Sequence, residues 1–151
     1  MKIICKTIKL KSKKYLEFID LTDLVKEFVT KSKINSGSVT IYSKHTTMAV
    51  RINEKEKGIT EDFVSFINKL LPKDAYYKHN DLNIRTENLV CDPGASDCLN
   101  GHSHCLHLLL GSSETIPIDK GNLILGLFQR IFAIELDCGR NREIVIQIIG
   151  N

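Results

Sequence analysis

Over the first ten residues apolar and polar positions alternate loosely, which predicts a strand, and Tyr15 to Ile19 predicts a second, shorter one. Leu21, Leu24, Val25 and Phe28 then recur at helical spacing. Asp20 or Thr22 is placed to cap that helix, and the "NSG" at Asn35 to Gly37 to stop it. In "SVTIYSKH", Val39 and Ile41 share one face and Thr40 and Tyr42 the other, and "TMAVRINE" follows as another strand. "KGITEDFVSFINKLLP" predicts a second helix, with Thr60 as its cap, Glu61 and Asp62 in its first turn and Pro72 at its end. Lys73 to Leu99 is long and irregular, with turn chemistry in "CDPGASD"; a segment of that length is a candidate to close over a site. From His102 onward "HCLHLLLG", "ETIPI", "NLILG", "QRIFAIEL" and "REIVIQIIG" predict strands, joined by the turns "DKGN" and "DCGRN". The expectation is α+β: one compact domain over residues 1–151, mainly antiparallel sheets of roughly eight to ten strands, with two principal helices.

Composition narrows the function classes. With 151 residues, 42% hydrophobic and 26% charged, the chain is ordinary for one globular domain. No apolar stretch approaches the ~20 residues of a membrane span, and the N-terminus has no apolar signal core, so the expected place is the cytoplasm and no membrane partner is expected. The net charge of +3 is too weak, without a dense basic tract, to argue for nucleic acid. "KLKSKKY" at Lys9 to Tyr15 is the densest basic patch and reads as a solvated turn between strands. The five cysteines fit no zinc framework and read as reduced thiols, with Cys105 a small buried hydrophobe; a Cys91–Cys98 clip is the alternative.

Three of the five histidines fall in "HSHCLH". On a strand, His102 and His104 project to one face while Cys105 and His107 turn the other way into packing. Such an H-x-H pair is a two-ligand arrangement for a divalent metal, zinc or magnesium. His45, ending a strand in "SKHTT", would supply a third ligand, and His79, in "YYKHND", a fourth or a covering group. Without a metal the same imidazoles serve as general acids and bases or as phosphate contacts, and the plainest reading makes them hydrogen-bonded surface groups.

Other polar residues stand in apolar surroundings. Ser112 and Ser113, after Gly111, offer hydroxyls and backbone N–H groups to a phosphate. Gln129 and Arg130 interrupt an apolar strand; they either face an anionic ligand or, with Glu135, make carboxylate pairs at a subunit interface. Glu54 is a carboxylate candidate beside the second helix.

"GSVTIYSKHTTMAVRINE", "NGHSHCLHLLLGSSETIPI", "GLFQRIFAIELD" and "REIVIQIIG", in this order and spacing, resemble the signature segments of the YjbQ-like family, from about residue 3 to 150. Its S-x-H-T-T histidine falls on His45, its N-G-H-x-H on Asn100, His102 and His104, its tyrosine-x-histidine on Tyr77 and His79, its L-G-x-S on Leu110, Gly111 and Ser113, and its W-Q-R-I-F on Phe128 to Phe132. Phe128 stands where that segment usually has tryptophan, and "DCGR" at Asp137 to Arg140 replaces a proline-containing turn expected to lie clear of the site. The resemblance implies an α+β fold with antiparallel sheets, a homotrimer, and the activity with which the family is labelled, a secondary thiamine-phosphate synthase. That reaction joins a hydroxymethylpyrimidine diphosphate to a thiazole phosphate. The expected site comprises His45, His102, His104 and Glu54 as catalytic groups, and Asn100, Ser112, Ser113, Gln129 and Arg130 against phosphate oxygens. The alternative is a trimeric metal- or small-ligand-binding protein without turnover.

Overall fold

A computed structural model of the chain describes residues 1–89 and 99–151. Among these residues eight strands form two antiparallel sheets: β1 (Lys2–Lys11), β2 (Phe18–Asp20), β3 (Gly37–Ser43), β4 (Met48–Glu54), β5 (Ser113–Asp119), β6 (Asn122–Leu123), β7 (Gln129–Glu135) and β8 (Asn141–Gly150). The larger sheet runs β1-β8-β3-β5-β6 and the smaller β2-β7-β4. Three α-helices accompany them, α1 (Thr22–Ser32), α2 (Lys57–Leu70) and α3 (Gly101–Leu110), with a short 3-10 turn at Lys78–Asn80. No helix among the described residues is long and apolar enough to cross a membrane.

Strand β7 explains the layering. Its alternate residues serve two cores, so it reads as a continuous apolar run and not as an alternation. Ile131 and Ala133 join Val39 and Ile41 of β3, Ile144, Ile146 and Ile148 of β8, and Val25 and Val29 of α1 between the sheets. Phe132 and Ile134 join Ile67 of α2 and Leu106 of α3 on the other side. Strand β1, at the sheet edge, keeps exposed lysines along its length, which discourages edge-to-edge pairing.

Several expectations need correcting. The segment expected as the strand "HCLHLLLG" is α3. It contains no Val, Ile or Thr, and leucine is a strong helix former, so composition favours a helix where the continuous apolar run hides the period. Among the described residues there are therefore three α-helices, where two principal ones were expected. Residues two apart on a helix lie about 200° apart, so His102 and His104 diverge. Cys105, expected to be buried, is exposed, as are Cys5 and Cys138; all three are free thiols. Glu56, not Thr60, caps α2: its carboxylate accepts the Gly58 and Ile59 N–H groups at 2.7 and 2.8 Å. Asp20 takes the Thr22 N–H at the start of α1. The proposed Cys91–Cys98 clip and the "CDPGASD" turn lie outside the described residues.

Candidate functional site

The polar groups converge at one end of the fold, where β7 ends, β8 begins, the β3–β4 turn passes and α3 starts. Asn100 precedes α3 but makes no side-chain cap bond, because its amide is committed elsewhere. It is 5% exposed. Its Nδ2 donates to Asp137 Oδ2 at 2.8 Å, and its Oδ1 meets His79 Nε2 at 3.2 Å. A carboxylate only accepts, so the amide orientation is fixed: Oδ1 faces His79, whose Nε2 must carry the proton. The Asp137–Asn100 chain thus leaves Nδ1 of a neutral His79 as its basic nitrogen. Arg140 Nη2 holds the same Asp137 Oδ2 at 2.8 Å.

The His104 ring lies 4.6 Å from that of His79, tilted by 59°. Burial, and next the neighbouring His79, lower the His104 pKa and favour its neutral form. Gly101 permits this arrangement: a Cβ there would lie 2.6 Å from Tyr77 Cβ, so a side chain would push the 3-10 turn and His79 away from α3. The Gly101 N–H also donates to Asn80 Oδ1 at 2.8 Å.

A second set of groups adjoins the first. Glu135 is fully buried and pairs with Arg142, itself 4% exposed, through Arg142 Nε (2.7 Å) and Nη2. Ser12 Oγ also donates to Glu135, and Glu135 Oε1 accepts the Asp137 N–H at 2.9 Å. Arg142 Nη2 reaches Thr47 Oγ1 at 3.1 Å. The ion pair therefore anchors the turn that carries Asp137. On its far flank His45 Nε2 accepts the Glu143 N–H at 2.7 Å. That bond uses the imidazole lone pair, so His45 keeps its proton on Nδ1 and is a donor only. Burial, and next Arg142, lower its pKa.

Of the residues expected in the site, the structure brings together Asn100, His79 and His104. His102 is 2% exposed and turns inward, edge-on to Tyr15 at 5.5 Å between ring centroids. Its Nδ1 and the Tyr15 hydroxyl have no partner among the described residues. Glu54, Gln129 and Arg130 lie at the other end of the smaller sheet. Glu54 pairs in register with Gln129, and Gln129 to Glu135 spans roughly 20 Å at ~3.3 Å per residue. Gln129 Oε1 accepts the Gly126 N–H at 2.7 Å. Arg130 is clamped by Asp20 and Asp23, a pairing within one chain. Ser112 bonds His107 at 3.1 Å, and Ser113 is exposed at the start of β5.

The residues missed are Asp137 and Arg140, in the turn expected to lie clear of the site, and the Glu135–Arg142 pair. Ser12 was also missed: it is buried within the patch read as a solvated turn. The carboxylate inside the apolar run "FAIELD" was the available signal, since a buried charge needs a partner.

As a metal centre the donor set is thin. Among the described residues no three or more His, Cys, Asp or Glu side chains gather as a metal-binding group. A catalytic zinc takes three protein ligands, whereas His79 and His104 offer two nitrogens and His45 has no lone pair to give in this geometry.

Residues 6–151 match the family model described as UPF0047 protein YjbQ-like. A UPF0047 protein of Methanothermobacter thermautotrophicus is 33% identical over 150 residues, covering 99% of this chain and 94% of that protein. One of Archaeoglobus fulgidus is 36% identical over 140 residues, covering 93% and 97%. Among solved structures, a YbjQ-like protein of unknown function from Sulfolobus solfataricus superposes with a TM-score of 0.86 at 30% identity, covering 99% of each chain.

Proposed function

We propose, for a chain that belongs to the YjbQ-like UPF0047 family, that it is a cytoplasmic enzyme acting on a phosphorylated small molecule at the His79–His104 pair. The observation that carries this reading is that pair, 4.6 Å apart and oriented through Asn100 by Asp137. One imidazole presents a basic nitrogen, and the other, held neutral by burial, supplies an N–H. A base and a donor side by side are the elements of general acid–base catalysis.

The coupling implied by the family resemblance, thiamine-phosphate synthesis, suits these groups. The bond from the pyrimidine methylene to the diphosphate oxygen breaks, and its electron pair leaves on diphosphate. The thiazole nitrogen supplies the pair for the new C–N bond. An imidazole N–H against the departing oxygens stabilises the charge that develops there. The test is incubation of the two substrates, and of a panel of other phosphorylated metabolites, with wild type, His79→Ala and His104→Ala. Loss of roughly 10²–10⁴ in kcat/KM in each variant, with folding intact, supports the site. Turnover unchanged in both overturns it.

The rival reading is a non-catalytic trimer that binds a metal or small ligand. It is favoured by the unusual exposure of Leu108 (84%), Leu109 (62%), Leu127 (90%) and Phe128 (65%), apolar surface that self-assembly would cover. Thermal shifts with the panel but no product would select it, and sedimentation as a monomer at micromolar concentration would remove the trimer from either reading. Of the two metals considered, zinc suits imidazole and magnesium prefers oxygen ligands. About one zinc per chain in untagged protein, lost in His104→Ala, would make the pair a metal site.

A further inference from the structure

We infer that the outer face of the larger sheet is a self-association surface, covered by a second copy of this chain. The register defines that face. Val39 and Ile41 of β3, Ile144, Ile146 and Ile148 of β8 and Ile116 of β5 point inward and are at most 2% exposed. The residues between them therefore point outward. Across β1, β8, β3 and β5 the first outward row is Ile3, Ile149, Ser38 and Pro117. Cys5, Gln147, Thr40 and Thr115 make the second row, and Thr7, Val145, Tyr42 and Ser113 the third. None of these twelve positions is charged, in a chain of which 26% is Asp, Glu, Lys or Arg. Charge returns at the fourth row, where Lys9 lies opposite Glu143 and Lys44 pairs with Glu143 at 2.6 Å.

No helix among the described residues covers this face. α1 packs between the sheets, and α2 and α3 lie against the smaller sheet. An antiparallel sheet with one wet face normally alternates apolar residues inward with polar residues outward. β8 departs from that pattern. Val145 and Ile149 point outward between inward isoleucines, giving the continuous apolar run of a strand covered on both sides. β7 has the same kind of run and does have a layer on each side. Ile3 and Tyr42 add exposed apolar surface on the neighbouring strands. An uncharged, partly apolar centre bordered by an ionic row has the anatomy of an interface core and its rim.

The chemistry of the face selects its occupant. A closed assembly brings equivalent positions of its copies together around the symmetry axis, where any charge would meet its like. An uncharged face avoids that repulsion. Its hydroxyls, on Ser38, Thr40, Thr115 and Tyr42, and the Gln147 amide each donate and accept, so each can bond the same residue of another copy. Thr40 and Thr115 already bond one another at 2.9 Å within the chain. The size fits as well. Four strands at ~4.8 Å by six residues at ~3.4 Å give a flat centre of roughly 390 Å², and a rim one residue wide raises it to about 770 Å². A stable interface of ordinary size takes about 800 Å² from each partner. This face is separate from the exposed leucines of α3, and the inference requires no turnover.

The experiment is sedimentation equilibrium of the full chain at micromolar concentration, as wild type, Thr40→Arg and Thr30→Arg. Thr40 is central in the face, and Thr30 is exposed on α1, so the two variants add the same charge in different places. Wild type and Thr30→Arg should sediment as one closed multimer. Thr40→Arg, checked for folding by circular dichroism, should fall to monomer mass, its association weakened roughly 100-fold or more because like charges then face one another around the axis. Cys5 gives a second readout that needs no variant. Its thiol is exposed in the single chain. In the native assembly it should react with a maleimide roughly tenfold more slowly than in the urea-unfolded chain, read by peptide mass, because access limits thiol chemistry. A monomeric wild type overturns the inference and leaves the face to a partner of another kind. A Thr40→Arg chain that assembles like wild type overturns it too, as does a Cys5 that reacts at the unfolded rate. Assembly kept in Thr40→Arg and lost in Leu108→Arg moves the interface to α3 and overturns the sheet face. None of these outcomes reads turnover at His79 and His104, so the proposed enzyme stands or falls separately.

Discussion

Replacing Glu135 by Gln keeps the shape of the side chain and removes its charge. Four groups bond to that carboxylate: Arg142 Nε and Nη2, the Ser12 hydroxyl and the Asp137 N–H. Glu135 is fully buried and Arg142 4% exposed, so the variant leaves a guanidinium without its counter-charge in a medium that solvates it poorly. Breaking a buried pair from one side costs about 3–5 kcal/mol. For a domain of this size that corresponds to a fall in Tm of roughly 6–20 °C, at 2–4 °C per kcal/mol. Removing both charges, in Glu135→Gln/Arg142→Met, should cost less than the sum of the single changes, because neither ion is then stranded. The assay is urea unfolding of the four proteins at one fixed protein concentration, since any self-assembly adds concentration-dependent stability. A Glu135→Gln cost below ~1 kcal/mol, the range of an exposed pair, would refute the burial argument. So would a double variant as unstable as the two singles added together.

Gly101→Ala should disturb the site before it threatens the fold. Its Cβ would meet Tyr77 Cβ at 2.6 Å, an overpacking that costs about 1–3 kcal/mol; unfolding together with the His79 and His104 imidazole NMR signals would show both effects, and unchanged signals would refute the contact. Stability should fall on acidification: His45, His102, His104 and His107 all have pKa values lowered in the fold, chiefly by burial. Their contribution is fully present above the unfolded value near 6.5 and is lost as pH drops below it through the folded values, because the unfolded chain takes up those protons first. A Tm between pH 7.5 and 5.5 that does not fall would contradict this. Arg130→Ala should cost about 1 kcal/mol, the upper end for a partly exposed pair, since Asp23 is solvated but Asp20 is largely covered, and should leave turnover intact; loss of turnover with the fold intact would restore Arg130 to the site.

Much of the architecture is written in local pattern. The alternation of β3, the helical spacing of Leu21, Val25 and Phe28, and the turn residues after β5 and β7 each state their own element, because periods of 2 and 3.6 act over a few neighbouring residues. The segments that resemble the YjbQ-like family are local in the same sense, and the family assignment follows from their order. Two things were not legible this way. The run 105–110 is apolar enough to hide its period, and only its lack of β-branched residues separates helix from strand. With that choice went the direction of His102 and His104. The site itself is assembled from positions far apart in sequence: Asn100 with Asp137, His79 with Asn100, Ser12 with Glu135, and His45 with Glu143. Side-chain type nominated the histidines, but which nitrogen carries the proton depends on a partner from another element. The sequence alone determined the elements other than α3, the sheet-forming faces of its clearest strands, and the family. Tertiary structure decided which imidazoles meet and which carboxylates hold them, because those are properties of packing between distant segments and not of any one of them.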